Sequence, residues 1–195
     1  HISIHHSNER AQNIGAFKEP VVKYWIHNEW VVLGDDKKIS KSDNTELNLD
    51  TVRDMGFEYM DIRYLFLSVN YHMKLNFSEE SLKGACNSRL ALISRLDAIK
   101  SKTSGEGEIL EEYVDRFKEC LKDSLNMSKA LALINELLKS DEKPEDILTT
   151  VLDFDKVLAL NLKEELDGEL DIPKSVLELA DRRLEAKNNK DYDLA

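Results

Sequence analysis

"SEESLKGACNSRLALISRLDAIK", residues 78–100, is the stretch whose reading decides the fold class. Leu82, Ala85, Cys86, Ile93, Leu96 and Ile99 recur at three-, four- or seven-residue steps, the period of a helix with one apolar face. Ser78 stands where an N-cap belongs, and Glu79 and Glu80 place acid in the first turn, where the helix dipole favours it. Beyond it, "SKTSGEGE" (101–108) reads as a polar connection. Ile109, Leu110, Tyr113, Val114, Phe117 and Leu121 form a second apolar face, and Met127, Ala130, Leu131, Ile134, Leu137 and Leu138 a third. Pro144 suits the first turn of a fourth helix with Ile147, Leu148, Val151 and Leu152 inward, and Pro173 opens a last one. Amphipathic helices joined by short connections predict an antiparallel bundle in a mainly α chain.

Towards the N-terminus the pattern changes. "HISI" reads as a strand, and "HHSNERAQNI" as a polar helix closed by Gly15. "VVKYWIHNEWVVL" (21–33) is rich in Val, Ile, Trp and Tyr and predicts one strand or two. Asp50 is expected to cap a helix beginning "TVRDM", Gly56 to break it, and "EYMDIRYLFLSV" to follow as another helix. An α/β remnant therefore precedes the helices. The chain opens without Met inside a strand-like run and stops inside a charged helical one, so a piece of a longer polypeptide is expected.

Composition narrows the function classes. With Lys+Arg 27 against Asp+Glu 38 the net charge is −11, so no global field attracts nucleic acid, and any RNA contact must come from local basic positions. Cys86 and Cys120 are far apart and form no CxxC, which suggests a reducing cytoplasm. No run approaches the ~20 apolar residues of a membrane span.

Three constellations carry chemistry. In Lys37-Lys38-Ile39-Ser40-Lys41-Ser42 the ammonium groups repel unless an anion lies between them. A loop carrying Lys38 and Lys41, with the hydroxyls of Ser40 and Ser42, can close over phosphates, although the run taken alone reads better as a solvated hairpin tip. His5 and Glu9 share one helical face at i, i+4, and both are zinc ligands by type. Two ligands cannot complete a tetrahedral site, and a surface pair is the other reading. His6 fits a core or a substrate-facing position. In "YWIHNEW" (24–30), Trp25, His27 and Trp30 fit core packing or a strand ending at a pocket.

Taken in order, "HHSNERAQ", "YWIHNEWV", "KISKS", "IRYLFLS" and "LNFSEESL" resemble the second half of cysteinyl-tRNA synthetase, a class I family, over residues 1 to about 100. "DSLNMSKALALINEL" resembles a divergent form of a later family helix. The resemblance implies that residues 1–36 end a Rossmann-type catalytic domain, 37–77 hold the signature loop and connecting helices, and 78–195 are a truncated helical bundle on the tRNA side. It implies ATP-dependent ligation of L-cysteine to its tRNA through cysteinyl adenylate, with ATP and Mg2+ as substrate. It makes Lys41 the cation for the transition state, Lys38 its assistant on the phosphates, and Ser40 and Ser42 further ATP contacts. It also makes His5 and Glu9 two of four ligands of one zinc ion, the other two being cysteines upstream of this chain and neither Cys86 nor Cys120. The upstream nucleotide motif is absent as well, so the chain alone is expected to be inactive.

The chain departs from the family at Glu29 (Gly in the pattern), Asp43-Asn44-Thr45 (Leu-Gly-Asn) and His72 (Arg). The expected setting is a cytoplasmic monomer with no membrane partner, and Lys83, Arg89 and Arg95 are candidate RNA contacts. Two rivals stand: the cysteine ligase of mycothiol synthesis with an amino-sugar acceptor, and a non-enzymatic helical module derived from a synthetase. A composition rich in Lys, Asn and Ile favours the synthetase over the first.

Overall fold

The computed structural model describes residues 2–33, 48–168, 179 and 182–183 and the backbone of 37–38. The chain is mainly helical and divides into two compact units. Unit 1 comprises His1–Leu92 and Glu111–Ser140, and unit 2 comprises Ile93–Leu110 and Asp141–Ala195.

In unit 1, a π-helical turn at Ile2–His6 leads into α1 (Ser7–Phe17). The strand expected over "HISI" does not form: the Ser7 hydroxyl donates to the Ile2 carbonyl (3.1 Å) and draws the segment into the helix. Gly15 lies inside α1, and Lys18, at φ 63°, supplies the left-handed C-cap expected of the glycine. The strand expected over 21–33 is confined to β1 (Val31–Leu33), which pairs antiparallel with β2 (Lys37–Lys38) and parallel with β3 (Leu75–Phe77). β1 is therefore central in a small sheet of order β2-β1-β3.

Helix α2 (Leu49–Asp54) is capped by Asn48, whose side chain accepts from the Thr51 N–H at 2.8 Å; Asp50 lies within the first turn instead. Gly56 turns the chain at φ 87°, a conformation that disfavours any β-carbon. Helix α3 (Tyr59–Ser68) follows, its entry held by a reciprocal capping box between Glu58 and Asp61. Helix α4 (Glu79–Lys100) opens as expected: the Ser81 N–H donates to the Ser78 hydroxyl (3.0 Å), and the Ser78 N–H to the Ser81 hydroxyl (2.9 Å). Its inward stripe is Leu82, Ala85, Arg89, Leu92 and Leu96, while Cys86, Ile93 and Ile99 are only half-buried. Helices α5 (Glu111–Lys122) and α6 (Met127–Leu137) pack on each other, and α6 also packs on α3. Ala130, Leu131, Leu133, Ile134 and Leu137 supply α6's buried face, each large one contributing about 1.5–3 kcal/mol.

Unit 2 begins within α4 and continues through α7 (Pro144–Leu158) and α8 (Leu162–Asp167). Pro144 opens α7, whose core face is Ile147, Thr150, Val151, Phe154 and Leu158. The connection from α4 is stitched onto this helix. The Glu108 N–H donates to Asp146 Oδ1 (2.7 Å) and the Leu110 N–H to Thr150 Oγ1 (3.0 Å). Asp155 uses both carboxylate oxygens on the next turn, accepting from the Leu160 and Leu162 N–H groups at 2.8 Å each. The helix expected from Pro173 lies almost wholly outside the described residues. Among the described residues no helix is long and apolar enough to cross a membrane.

Candidate functional site

An open cleft of about 560 Å³ in unit 1 gathers residues from three segments distant in sequence. His5 and His6 come from the turn before α1, His27, Glu29 and Trp30 from the approach to β1, and His72 from the loop before β3. Backbone bonds hold these segments together: the Glu29 N–H donates to the Tyr71 carbonyl (2.8 Å) and the Leu75 N–H to that of Trp30 (3.0 Å).

The imidazoles are ordered by stacking. His6 and His27 lie face to face with centroids 4.8 Å apart, Trp25 stacks on His27 at 6.4 Å, and His72 leans on Tyr71 at 4.1 Å. Partial desolvation, followed by the like charges of His27 and His5, holds His6 below the usual imidazole pKa. The Nδ1 of His27 is out of solvent and has no hydrogen-bond partner among the described residues.

His5 and Glu9 meet across one turn, Nδ1 to Oε1 at 3.9 Å, with both side chains about half exposed. That separation is too long for a hydrogen bond between the two atoms. Two ligands of a tetrahedral zinc at 2.0–2.1 Å stand roughly 3.4 Å apart, closer than this pair. Among the described residues no three His, Cys, Asp or Glu are placed to hold a metal.

Lys38 stands on β2 opposite Val32 of β1, so the lysine–serine run is rooted on the same small sheet whose approach lines the cleft. Lys41, Ser40 and Ser42 lie outside the described residues, as does Asp43. Of the departures from the family pattern, Glu29 and His72 both line the cleft.

Arg89 requires a correction. Expected as an RNA contact, it is 3% exposed, and its Nε donates to Asp61 Oδ1 at 2.7 Å. Asp61, 1% exposed, also accepts from the Glu58 N–H through Oδ2 at 2.9 Å. A guanidinium so enclosed cannot reach a phosphate backbone, whereas Lys83 and Arg95 are exposed. Sequence reasoning missed this pair because its partner lies on another helix. Cys86 sits beside it, and desolvation together with the Asp61 charge and hydrogen bond pushes its thiol pKa up. Cys120 is buried in α5.

The sequence is similar to known proteins. Residues 2–87 match the family described as tRNA synthetases class I (C) catalytic domain. The chain is 33% identical over 192 residues to cysteine–tRNA ligase 1 of Burkholderia lata, covering 98% of the chain and 40% of that protein. It is 32% identical to the cysteine–tRNA ligase of Treponema denticola over 100% of the chain and 46% of that protein. With the Methanosarcina mazei cysteine–tRNA ligase the identity is 33%, over 96% of the chain and 43% of the relative. The chain thus spans less than half the length of these relatives.

Proposed function

We propose, from the match of residues 2–87 to the family described as tRNA synthetases class I (C) catalytic domain, that the chain is the later part of a cytoplasmic enzyme that joins L-cysteine to its tRNA. The observation that carries this reading is similarity to cysteine–tRNA ligases that runs on through the helices to cover 96–100% of the chain.

In this reading the 37–42 run closes over ATP. Lys41 stabilises the charge that builds as the cysteine carboxylate attacks the α-phosphate, Lys38 holds the departing phosphates, and Ser40 and Ser42 offer hydroxyls to them. Such interactions act at the transition state, so they raise the rate more than they tighten binding. His5 and Glu9 would hold one side of a zinc ion whose remaining ligands come from outside this chain. When bound, that ion supplies a thiolate-selective contact that separates cysteine from serine, a discrimination that a hydrophobic pocket makes poorly. The stacked His6–His27 pair walls the cleft, and the His27 Nδ1 gives a bound substrate one polar group to satisfy. The bundle from Ser78 onward faces the tRNA through exposed bases such as Lys83 and Arg95. Chain 1–195 by itself is inactive.

The deciding test is charging of cysteine tRNA by the complete gene product with serine in competition. Cysteine-specific charging is expected, with Lys41→Ala lowering kcat about 100-fold. A folded protein that charges nothing overturns the reading and favours the amino-sugar ligase.

A further inference from the structure

Asp61 on α3 and Arg89 on α4 lie 28 residues apart in sequence, and neither carries out any step of the ligation described above. One carboxylate oxygen takes the Arg89 Nε–H and the other the Glu58 N–H, at 2.7 and 2.9 Å. The Cys86 thiol also bonds to this carboxylate. Desolvating two charges offsets most of what their attraction returns, so an apolar pair of similar volume would hold the helices together about as well. Stability alone therefore does not account for the pair. Directional bonds add orientation. Apolar cores keep their stability while losing a unique packing, whereas a carboxylate bonded through both oxygens fixes the rotation and offset of α3 against α4.

Those two helices frame what carries Lys38. β3 runs between them in sequence and pairs with β1, which pairs with β2, so that Asn76, Val32 and Lys38 stand side by side. On the other side, residues 39–47 join β2 to the Asn48 cap of α2, and α2 packs on α3. The link from α2 to α3 is short and stiff. Its Gly56 and Phe57 N–H groups donate back to the Arg53 and Val52 carbonyls at 2.9 and 3.3 Å, and its last residue is Glu58, whose N–H Asp61 holds. A turn of α3 is therefore passed on to α2.

We propose that the buried Asp61–Arg89 pair is a positioning device for the ligation: by fixing α3 against α4 it sets where β2 and α2 stand, and through them where Lys38 meets the phosphates of ATP. This rests on the ligase reading and deepens it.

The test uses the complete gene product. Asp61→Asn/Arg89→Met removes both charges, keeps an acceptor for the Glu58 N–H and nearly preserves volume, so the melting midpoint should move by no more than about 5 °C. Cysteine-dependent ATP–pyrophosphate exchange should lose about 10–100-fold in kcat, the scale of a misplacement near 1 Å. KM for ATP and for cysteine should stay within about twofold, because a misplaced cation is missed most in the transition state. Amide exchange at Val52 and Met55, whose N–H groups bond the Asn48 and Thr51 carbonyls, should quicken at least about tenfold while α6 stays as slow as before. Arg89→Lys keeps the charge and gives up the planar fork; it covers the case of a double variant that fails to fold, and should show the same split with a smaller loss. Four outcomes overturn the inference: wild-type kcat in a folded variant, a loss confined to KM, exchange that quickens equally in α2 and α6, or failure of both variants to fold. A complete wild-type protein that forms no cysteinyl adenylate overturns the ligase reading instead, and exchange in α2 then still tells whether the pair sets the stance of that helix.

Discussion

Two arginine–carboxylate pairs show how far burial alone changes what one residue is worth. Arg116 grips Glu136 with two bonds of 2.8 and 2.7 Å, yet both side chains are about half exposed. Water competes for each charge, so Arg116→Ala should cost less than about 1 kcal/mol in urea unfolding. Arg89 and Asp61 have no such competitor. Arg89→Leu strands a buried carboxylate and should cost about 3–5 kcal/mol in the same experiment, whereas exchanging both partners for apolar residues should recover most of that. The sequence hid this distinction, because an arginine in a helix reads as part of a solvated face until Asp61 is seen opposite it. His6 gives a pH prediction. Its folded pKa lies below its unfolded value, so the unfolded chain binds the proton more readily and stability falls as pH drops below the ordinary imidazole pKa towards the lowered one. NMR titration of the ring should find His6 titrating below a free imidazole, and His6→Phe should flatten the dependence. If His5 and Glu9 are zinc ligands as proposed, His5→Ala or Glu9→Ala in the complete gene product should reduce bound zinc by elemental analysis; unchanged zinc in both variants would overturn that proposal.

At the scale of elements, the helices with strong apolar periodicity were legible and the ones fixed by a distant acceptor were not. α5, α6 and α7 lie where their spacing puts them, and the Ser78 and Pro144 starts follow from local chemistry. Residues 21–30 misled in the opposite direction, because strand propensity is a statement about a partner as much as about a chain. The connection ahead of α5 also escaped notice. Gly107 looks like an ordinary loop glycine, yet a β-carbon there would collide with the Glu145 carbonyl. Gly107→Ala must push the connection off α7 and break the Glu108 and Leu110 bonds, so a loss of about 1–3 kcal/mol in thermal unfolding is expected. Asp155→Ala deprives two N–H groups of their acceptor and should cost a similar 1–3 kcal/mol, roughly, by the same measurement.

For the whole molecule, the sequence showed an N-terminal remnant and a following set of helices, which is a division by composition. The compact units divide the chain differently, because packing groups whatever meets in space: α5 and α6 join the N-terminal unit, and the end of α4 joins α7 and α8. Half of the candidate site was legible on the same grounds. Short motifs name His5, Glu9 and Lys38 directly, but a cleft assembled from the His5, Glu29 and His72 segments exists only once the chain has folded.

The interleaving of those units bears on how the chain must be made. Unit 1 needs residues 111–140, so it cannot close while only its first 92 residues have left a ribosome. Residues 93–110 emerge next and must wait, uncommitted, until 141 onward appears. At the usual 5–20 residues per second, passing through 111–140 takes about 1.5–6 seconds. During it the end of α4 has no core to join, and a stop codon or nick anywhere between 93 and 140 would leave both units incomplete at once.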